Sequence, residues 1–331
     1  MRSFRLVALF RALCLLLTAC AFATAQQLPD APAAQGSSQK PAPTKAAESP
    51  SQQTPAAQTT PQTSANQSAS AKEKPIIPAA AERHYHQGIL YEREGDIGDA
   101  IAEYRDAIKE YPDYFEPHYS LGRIYYDKRG YLEAIKEFKE AVRLKPNDAD
   151  AHNNLGLALK HNADLYGAIA EYQEAVRLNP KQAAAQNNLA NALYARRDFA
   201  GAIQHYRAAI AIEPKSAQTR MNLASALDDA GKPDEAITEY KEALKLDPKN
   251  SRIHFNLSIV YQKRKDMPAA IAELKEAARL APDWPTPHIM LTNLLKDSDP
   301  KAAIGECMVA DGLTHDAKLH DQCTELQKKA P

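Results

Sequence analysis

A 34-residue period runs through most of this 331-residue chain. Proline marks the period, and the prolines in register are Pro112, Pro146, Pro180, Pro214, Pro248 and Pro282. Twelve residues before each proline the chain has an alanine followed by an isoleucine, and five residues before it another alanine. A fixed period of about 20–50 residues is the signature of an architecture in which each unit packs on its neighbours. The chain is therefore expected to form a solenoid.

Each unit contains two apolar patterns of helical spacing. With the proline as position 32, the units run 81–114, 115–148, 149–182, 183–216, 217–250 and 251–284. Apolar or small residues recur at positions 7, 8, 11, 20, 24 and 27, and a short polar break falls near positions 15–17. Spacings of three, four and seven residues are typical of helices. We predict two antiparallel helices per unit, the second ended by the proline, which disfavours helical geometry in the residue before it.

The second unit shows the pattern most completely. Its Leu121, Gly122, Tyr125, Ala134, Phe138 and Pro146 resemble the tetratricopeptide repeat, with His118 in place of the usual tryptophan. The resemblance covers residues 79–284 and implies six repeats in an all-α solenoid, a right-handed superhelix of helix-turn-helix units. It also implies a concave groove, lined by the first helices, that binds peptides or protein segments without catalysis. Residues 285–331 are predicted to be a degenerate seventh repeat and a C-terminal cap, with helices over 301–310 and 319–329.

The first 25 residues are predicted to be an export signal. Three arginines, Arg2, Arg5 and Arg11, precede an apolar run over 12–23, and residues 23–25 (Ala-Thr-Ala) supply a cleavage pattern. The run is too short for a membrane-spanning helix, which needs about 20 apolar residues. An alternative stays open, because residues 17–20 (Leu-Thr-Ala-Cys) resemble the lipobox of bacterial lipoproteins, which would leave a lipidated Cys20 at the N-terminus. The protein is thus expected to be of the exported bacterial type, either periplasmic or secreted, or lipid-anchored to an envelope membrane.

Residues 26–78 differ in composition from everything that follows. They contain nine prolines and no aromatic residue, and they are rich in Gln, Ala, Ser and Thr. Such a segment cannot bury enough apolar surface to offset the entropy lost on ordering. It is predicted to be a disordered linker.

Composition argues against several functions. The 41 basic and 42 acidic residues are balanced, and no basic face is evident, so nucleic acid is not an expected partner. No nucleophile with a base and no phosphate-binding loop is recognisable, so we expect no cofactor and no enzymatic activity. Acidic residues of the second helices, such as Glu137 and Glu140 on either side of Lys139, are interpreted as a solvated face.

Histidine recurs at position 4, which raises the hypothesis that these side chains bind metal ions. The residues are His84, His118, His152, His254 and His288. Equivalent residues of successive units lie on helices about 8–10 Å apart, too far to share one ion. We interpret these histidines as structural replacements for tryptophan, and expect no metal.

Positions 5 and 6 carry the candidate ligand contacts. Position 6 is asparagine in four consecutive units: Asn154, Asn188, Asn222 and Asn256. An asparagine side chain both donates and accepts, so a row of them could pair with the backbone of an extended ligand. The alternative is that these residues pack adjacent units. Position 5 adds aromatic side chains as possible anchors, and these are Tyr85, Tyr119 and Phe255.

The sequence thus predicts an exported protein–protein interaction scaffold, within an envelope or secretion assembly, that binds a peptide or protein segment. Two alternatives remain: an enzyme or enzyme subunit acting on envelope polymers, and a self-associating structural protein. The oligomeric state is left open. Cys307 and Cys323 are expected to form a disulfide, because Cys14 and Cys20 leave with the signal and an exported pair tends to oxidise. Two separately buried thiols are the alternative.

Intact-mass analysis of the exported protein tests the cleavage site. We expect a mature chain that begins at Gln26, because residues 23–25 present small side chains at the positions that the export peptidase reads. A chain that begins at Cys20 and carries the added mass of acyl groups would contradict this and establish the lipid-anchored alternative.

Overall fold

The structure, a computed structural model, describes residues 76–329. The predicted export signal, Cys20 and nearly all of the predicted linker therefore lie outside the described residues. The described part contains fifteen α-helices and no strand. They are α1 (Ala79–Glu94), α2 (Ile97–Glu110), α3 (Phe115–Asp127), α4 (Tyr131–Leu144), α5 (Ala149–His161), α6 (Leu165–Leu178), α7 (Ala183–Ala195), α8 (Phe199–Ile212), α9 (Ala217–Asp229), α10 (Pro233–Leu246), α11 (Ser251–Lys263), α12 (Met267–Leu280), α13 (Pro285–Leu295), α14 (Pro300–Thr314) and α15 (Ala317–Lys329).

Each 34-residue unit forms a pair of helices, as the sequence predicts. Helices α1 to α12 make six pairs, in which the two helices of a pair pack together and each pair packs on the next. The second helix ends two residues before the proline. In the second repeat, for example, α4 ends at Leu144 and Lys145 takes φ −128° and ψ 78° before Pro146. The α-solenoid prediction is confirmed.

Position 15 makes the turn between the two helices of every repeat. Its residue has a positive φ in all six repeats, and it is glycine only in the first and the fifth, Gly95 (φ 88°) and Gly231 (φ 75°). The other four repeats place arginine, alanine or lysine there, with φ between 61° and 64°. The left-handed conformation is therefore set by the packing of the helix pair and not by glycine alone.

The core of each of the first five repeats depends on a ring packed against a small residue, and the sixth has Leu274 in place of the ring. A Cβ atom added to Gly122 at position 8 would come within 2.6 Å of the Phe138 ring at position 24. The same holds for Gly88 against Tyr104. The recurrent alanines at positions 20 and 27 are buried in all six repeats. Small residues here let the two helices approach closely enough for the ring to fill the seam between them.

Histidine at position 4 bridges three elements. In the second repeat, Nδ1 of His118 lies 2.7 Å from the Glu137 carboxylate on the partner helix. Its Nε2 lies 3.0 Å from the carbonyl oxygen of Pro112, the proline that ends the preceding repeat. The two ring nitrogens thus join the partner helix and the end of the preceding repeat. The third and sixth repeats repeat this geometry at His152 and His254.

The assignment of Glu137 to a solvated face is wrong. Its side chain is only 13% exposed, because the contact with His118 holds it between the helices. In the fourth repeat the histidine is at position 23 and position 4 is glutamine. Gln186 donates to the Pro180 carbonyl and contacts Nδ1 of His205, which makes an equivalent bridge. A polar bridge between positions 4 and 23, anchored to the preceding proline, thus stands where the family pattern has tryptophan.

The C-terminal end follows the predicted order with longer helices. The predicted helices over 301–310 and 319–329 correspond to α14 and α15. The Sγ atoms of Cys307 and Cys323 are 2.01 Å apart and their Cα atoms 5.6 Å apart, which joins α14 to α15. No helix within residues 76–329 is both long and apolar enough to cross a membrane.

Alkylation of denatured protein without reductant tests the disulfide. We expect neither Cys307 nor Cys323 to be labelled until the protein is reduced, after which both are. Closing a loop of about 15 residues should stabilise the cap locally by roughly 3 kcal/mol. Labelling of both thiols before reduction would show that they are separately buried.

His254 makes the stability of the solenoid depend on pH. Burial lowers the pKa of this ring, but the hydrogen bond to Glu273, the Pro248 carbonyl and the charges of Glu273 and Glu276 outweigh it, and the pKa is raised. Protonation therefore favours the folded state. The stabilisation is complete below the pKa of an unfolded histidine and is lost as pH rises through the higher folded value.

Thermal melts of the wild type and of His254→Gln at pH 6 and pH 8 test this. Glutamine occupies position 4 in the fourth repeat, so the variant should fold. We expect the wild type to lose its advantage over the variant on going from pH 6 to pH 8. An advantage that does not change, or that grows with pH, would contradict the bridge.

Candidate functional site

The first helices present one continuous set of side chains, here called the first-helix face. It consists of positions 2, 5, 6, 9, 12 and 13 of each repeat. At three junctions between successive repeats this face forms cavities lined by equivalent positions, including position 24 from the second helix. We refer to them by the repeats they join, as the 1/2, 2/3 and 5/6 cavities. The face therefore has a potential subsite at each of these three junctions.

The 1/2 and 5/6 cavities are lined largely by polar side chains. The residues of the 1/2 cavity are Tyr85, Ile89, Glu92, Arg93, Tyr104, Ser120 and Arg123. Those of the 5/6 cavity are Tyr194, Ser225, Asp228, Asp229, Tyr240, Asn256, Ile259 and Lys263. In the 5/6 cavity the acidic groups are already engaged, since Lys263 pairs with Asp228 at 2.5 Å and Tyr194 donates to Asp229 at 2.5 Å.

The 2/3 cavity has the most aromatic lining of the three. Its residues are Tyr119, Arg123, Tyr126, Asp127, Phe138, Asn154 and Leu157. Tyr119 also stacks on Phe115, with ring centroids 5.6 Å apart, and meets the Phe138 ring edge-on at 5.9 Å. These contacts fix the position of the Tyr119 ring at the cavity wall.

The asparagine row joins the repeats as well as lining the face. The Nδ2 group of Asn154 donates to the Tyr119 hydroxyl at 2.7 Å. Asn188 donates to Asn153 at 2.9 Å, and Asn222 donates to Asn191 at 3.1 Å. Each of these bonds crosses to the preceding repeat, and all four asparagines are half-buried. One amide N–H of each of the three donating asparagines is therefore already used in the free chain, and the Asn222 carbonyl oxygen also accepts from Gln218 at 2.8 Å.

The position-5 aromatic residues differ in how free they are to contact a ligand. Tyr85 lines the 1/2 cavity and also packs against Tyr114, with centroids 5.3 Å apart. Burial raises the pKa of both Tyr85 and Tyr119, so their hydroxyls stay neutral and can donate. Phe255 instead packs against Trp284 at 4.6 Å, and is half-buried. Tyr85 and Tyr119 are thus better placed than Phe255 as anchors.

Sequence reasoning did not assign a role to the tyrosines of position 24. The Tyr206 hydroxyl donates to Asn191 at 2.7 Å, and that of Tyr240 pairs with Ser225 at 2.8 Å, so each finds its partner at position 9 of its own repeat. In the third repeat position 9 is Leu157, which offers no acceptor. The Tyr172 hydroxyl is accordingly buried without a hydrogen-bond partner among the described residues. Position 9 alone does not decide this, because Tyr104, with Ile89 at position 9 of its repeat, donates to Glu92 at 2.8 Å.

Replacing Tyr172 and Tyr206 by phenylalanine tests this difference. Phe138 shows that phenylalanine fits position 24. We expect Tyr172→Phe to leave the melting temperature unchanged or raise it, because it removes an unsatisfied buried hydroxyl, and Tyr206→Phe to cost about 0.5–1.5 kcal/mol. Equal losses in the two variants would contradict the hydrogen-bond assignments.

Within residues 76–329 no group of three or more histidine, cysteine or acidic side chains could hold a metal ion. The fourth repeat presents no charged residue on this face, only amide, phenol and methyl groups, at Ala184, Asn187, Asn188, Asn191, Tyr194 and Ala195. Such a lining can exchange hydrogen bonds with a ligand and pack against it, but has no group to activate a nucleophile.

Solved structures with the same fold come from several bacteria. The C-terminal part of a TPR repeat-containing protein from Cytophaga hutchinsonii covers 72% of this chain and 98% of its own, with 14% identity and a TM-score of 0.62. PilF of Pseudomonas aeruginosa covers 64% and 96%, with 18% identity and a TM-score of 0.54. MamA covers 52% and 94%, with 27% identity and a TM-score of 0.49. No curated protein sequence matches the chain significantly.

Family models place the repeats where the period does. Five models, described as TPR repeat or tetratricopeptide repeat, match residues 84–114, 122–162, 149–182, 181–249 and 221–285. Together these matches cover residues 84–114 and 122–285, more than half of the chain. With six helix pairs in the register of the sequence period, the chain belongs to the tetratricopeptide repeat family.

Proposed function

We propose that the chain is a protein–protein interaction scaffold whose first-helix face binds an extended peptide or protein segment. The observation that carries this proposal is the recurrence of equivalent cavities at the junctions of repeats. Membership of a family whose repeats generally bind polypeptide supports it. No group on the face favours a reaction over binding.

The spacing of the cavities suits an extended polypeptide. Packed helices lie about 8–10 Å apart, and an extended chain advances about 3.3 Å per residue. Successive repeats therefore meet about every third residue of a ligand that runs along the face. The carbonyl oxygens of the asparagine row can accept from the ligand backbone, and the cavities can take side chains.

The cellular location of the protein is part of the same proposal. We place the scaffold outside the cytoplasm, periplasmic or secreted after cleavage at residue 25, or held at an envelope membrane through a lipidated Cys20. Its partner would be a component of an envelope or secretion assembly. The export signal predicted for residues 1–25 supports this placement.

Site-specific photo-crosslinking in the source cell tests the proposal. Benzoylphenylalanine would replace Tyr119 on the first-helix face or, as a matched control, Lys136 on the second helix, whose side chain is 80% exposed. We expect capture from position 119 only, with the crosslinks confined to one contiguous segment of a partner. Equal capture from both positions, or none from position 119, would contradict a binding face on the first helices.

The asparagine row provides the quantitative test. Substituting all four asparagines by alanine should weaken binding of the captured segment, as a synthetic peptide, by roughly 2–6 kcal/mol, without strict additivity. The melting temperature should also fall, because three of the amides join repeats. Arg220→Ala is the matched control, since it breaks the 2.9 Å bridge to Glu239 away from the face. It should lower stability and leave affinity unchanged. Affinity unchanged in the quadruple variant would show that the row serves packing only.

A further inference from the structure

The 2/3 cavity has a chemistry that the other two cavities lack. Three aromatic rings, those of Tyr119, Tyr126 and Phe138, enclose a volume of about 240 Å³. Tyr126 is held in turn by the rings of Tyr131 and His161, with centroids 5.8 Å and 5.5 Å away. The walls are therefore fixed in the free chain, and the space is sufficient for one long side chain.

An unpaired carboxylate lies in the lining of this cavity. Asp127 is exposed and, among residues 76–329, has no ion pair and no hydrogen bond from its side chain. The carboxylates of the 5/6 cavity differ, because Lys263 and Tyr194 already engage them. The cationic group in the 2/3 lining, Arg123, is directed to Glu92 of the preceding repeat at 3.4 Å. The cavity thus has aromatic walls and an available negative charge.

The surrounding charges add to this negative potential. Position 2, on the same face, is acidic in the first three repeats, at Glu82, Glu116 and Asp150. It is Ala184, Gln218 and Arg252 in the next three. Burial raises the pKa of Tyr119, and the charges of Asp150 and Asp148 raise it further against the opposing effect of Arg123. Position 2 is therefore acidic only in the first half of the face, where Glu116 is paired with Lys145 at 2.7 Å and Asp150 accepts from Gln182 at 2.6 Å.

We propose that the 2/3 cavity holds the cationic side chain of a lysine or arginine in the bound segment, with its charge against Asp127 and its methylene groups between the rings. The inference rests on the proposed function and adds the chemistry of the ligand. Cations bind favourably at the faces of aromatic rings, and the long stems of lysine and arginine pack against apolar surface. An acidic side chain in the same place would face Asp127 without compensation.

The test uses the full chain and three labelled peptides in fluorescence anisotropy titrations. Each is a capped decapeptide of serine, glutamine and alanine whose central residue is lysine, glutamine or glutamate. We expect the lysine peptide to bind about two- to tenfold more tightly than the glutamine peptide, and the glutamate peptide to bind most weakly. The preference for lysine should shrink as salt is raised, because the ion pair is near the surface.

Four variants assign the preference to the cavity. Asp127→Asn and Tyr126→Leu should each reduce the preference for lysine by about two- to fivefold, and Tyr126→Phe, which keeps the ring, should retain most of it. Asp106→Asn is the matched control. It removes the same charge from an exposed position of the second helix of the first repeat, off the first-helix face, and should leave the preference intact.

Three results would overturn the inference: equal binding of the lysine and glutamine peptides, an equal effect of Asp127→Asn and Asp106→Asn, or no binding of the lysine peptide. None of these bears on the proposed function, which photo-crosslinking tests for a segment of any sequence. Conversely, a captured segment that lies against Tyr119 with no basic residue would support the proposed function and contradict this inference.

Discussion

The fit of a bulky side chain at position 24, a ring in the first five repeats and Leu274 in the sixth, against a small residue at position 8 sets the separation of the two helices of a repeat. Where position 8 is glycine, a Cβ atom would come within 2.6–2.7 Å of the ring. The buried alanines at positions 20 and 27 allow the two helices the same close approach. The ring also reaches the first-helix face, where it forms part of all three cavities. The contact that builds the repeat therefore also shapes the candidate binding surface.

Repeats are joined by polar bonds at two levels. At position 4, the bridge from histidine to the glutamate of the partner helix and to the proline of the preceding repeat ties three elements together. On the face, the asparagine amides cross the same junctions. Apolar packing in a solenoid is similar at every junction, whereas these bonds depend on particular residues. They give each junction its own stability and, at His254, its own dependence on pH.

The helices could be predicted from the sequence because the same apolar pattern occurs in six units. A pattern that recurs six times is not accidental, and Pro112 and its equivalents fix the boundaries of the units. The sequence could also locate the face, through the resemblance to a known repeat. It did not reveal which polar atoms are already paired. In the sequence Glu137 and Glu140 both look like solvated residues of the second helix. Only the contact with His118, seen in the structure, distinguishes Glu137. Likewise the partner of Asn154 depends on Tyr119, 35 residues away, and the free state of Asp127 depends on contacts that no period encodes.

Hydrogen exchange of the full chain with and without its captured partner segment tests the central claim most directly. If the first-helix face binds the segment, amides of α3, α5, α7, α9 and α11 should gain protection, because ligand contacts suppress local opening of the helices that make them. Those at the outward sides of the second helices should change little. Protection concentrated in α4, α6, α8 and α10 would place the partner on the opposite face and contradict the account.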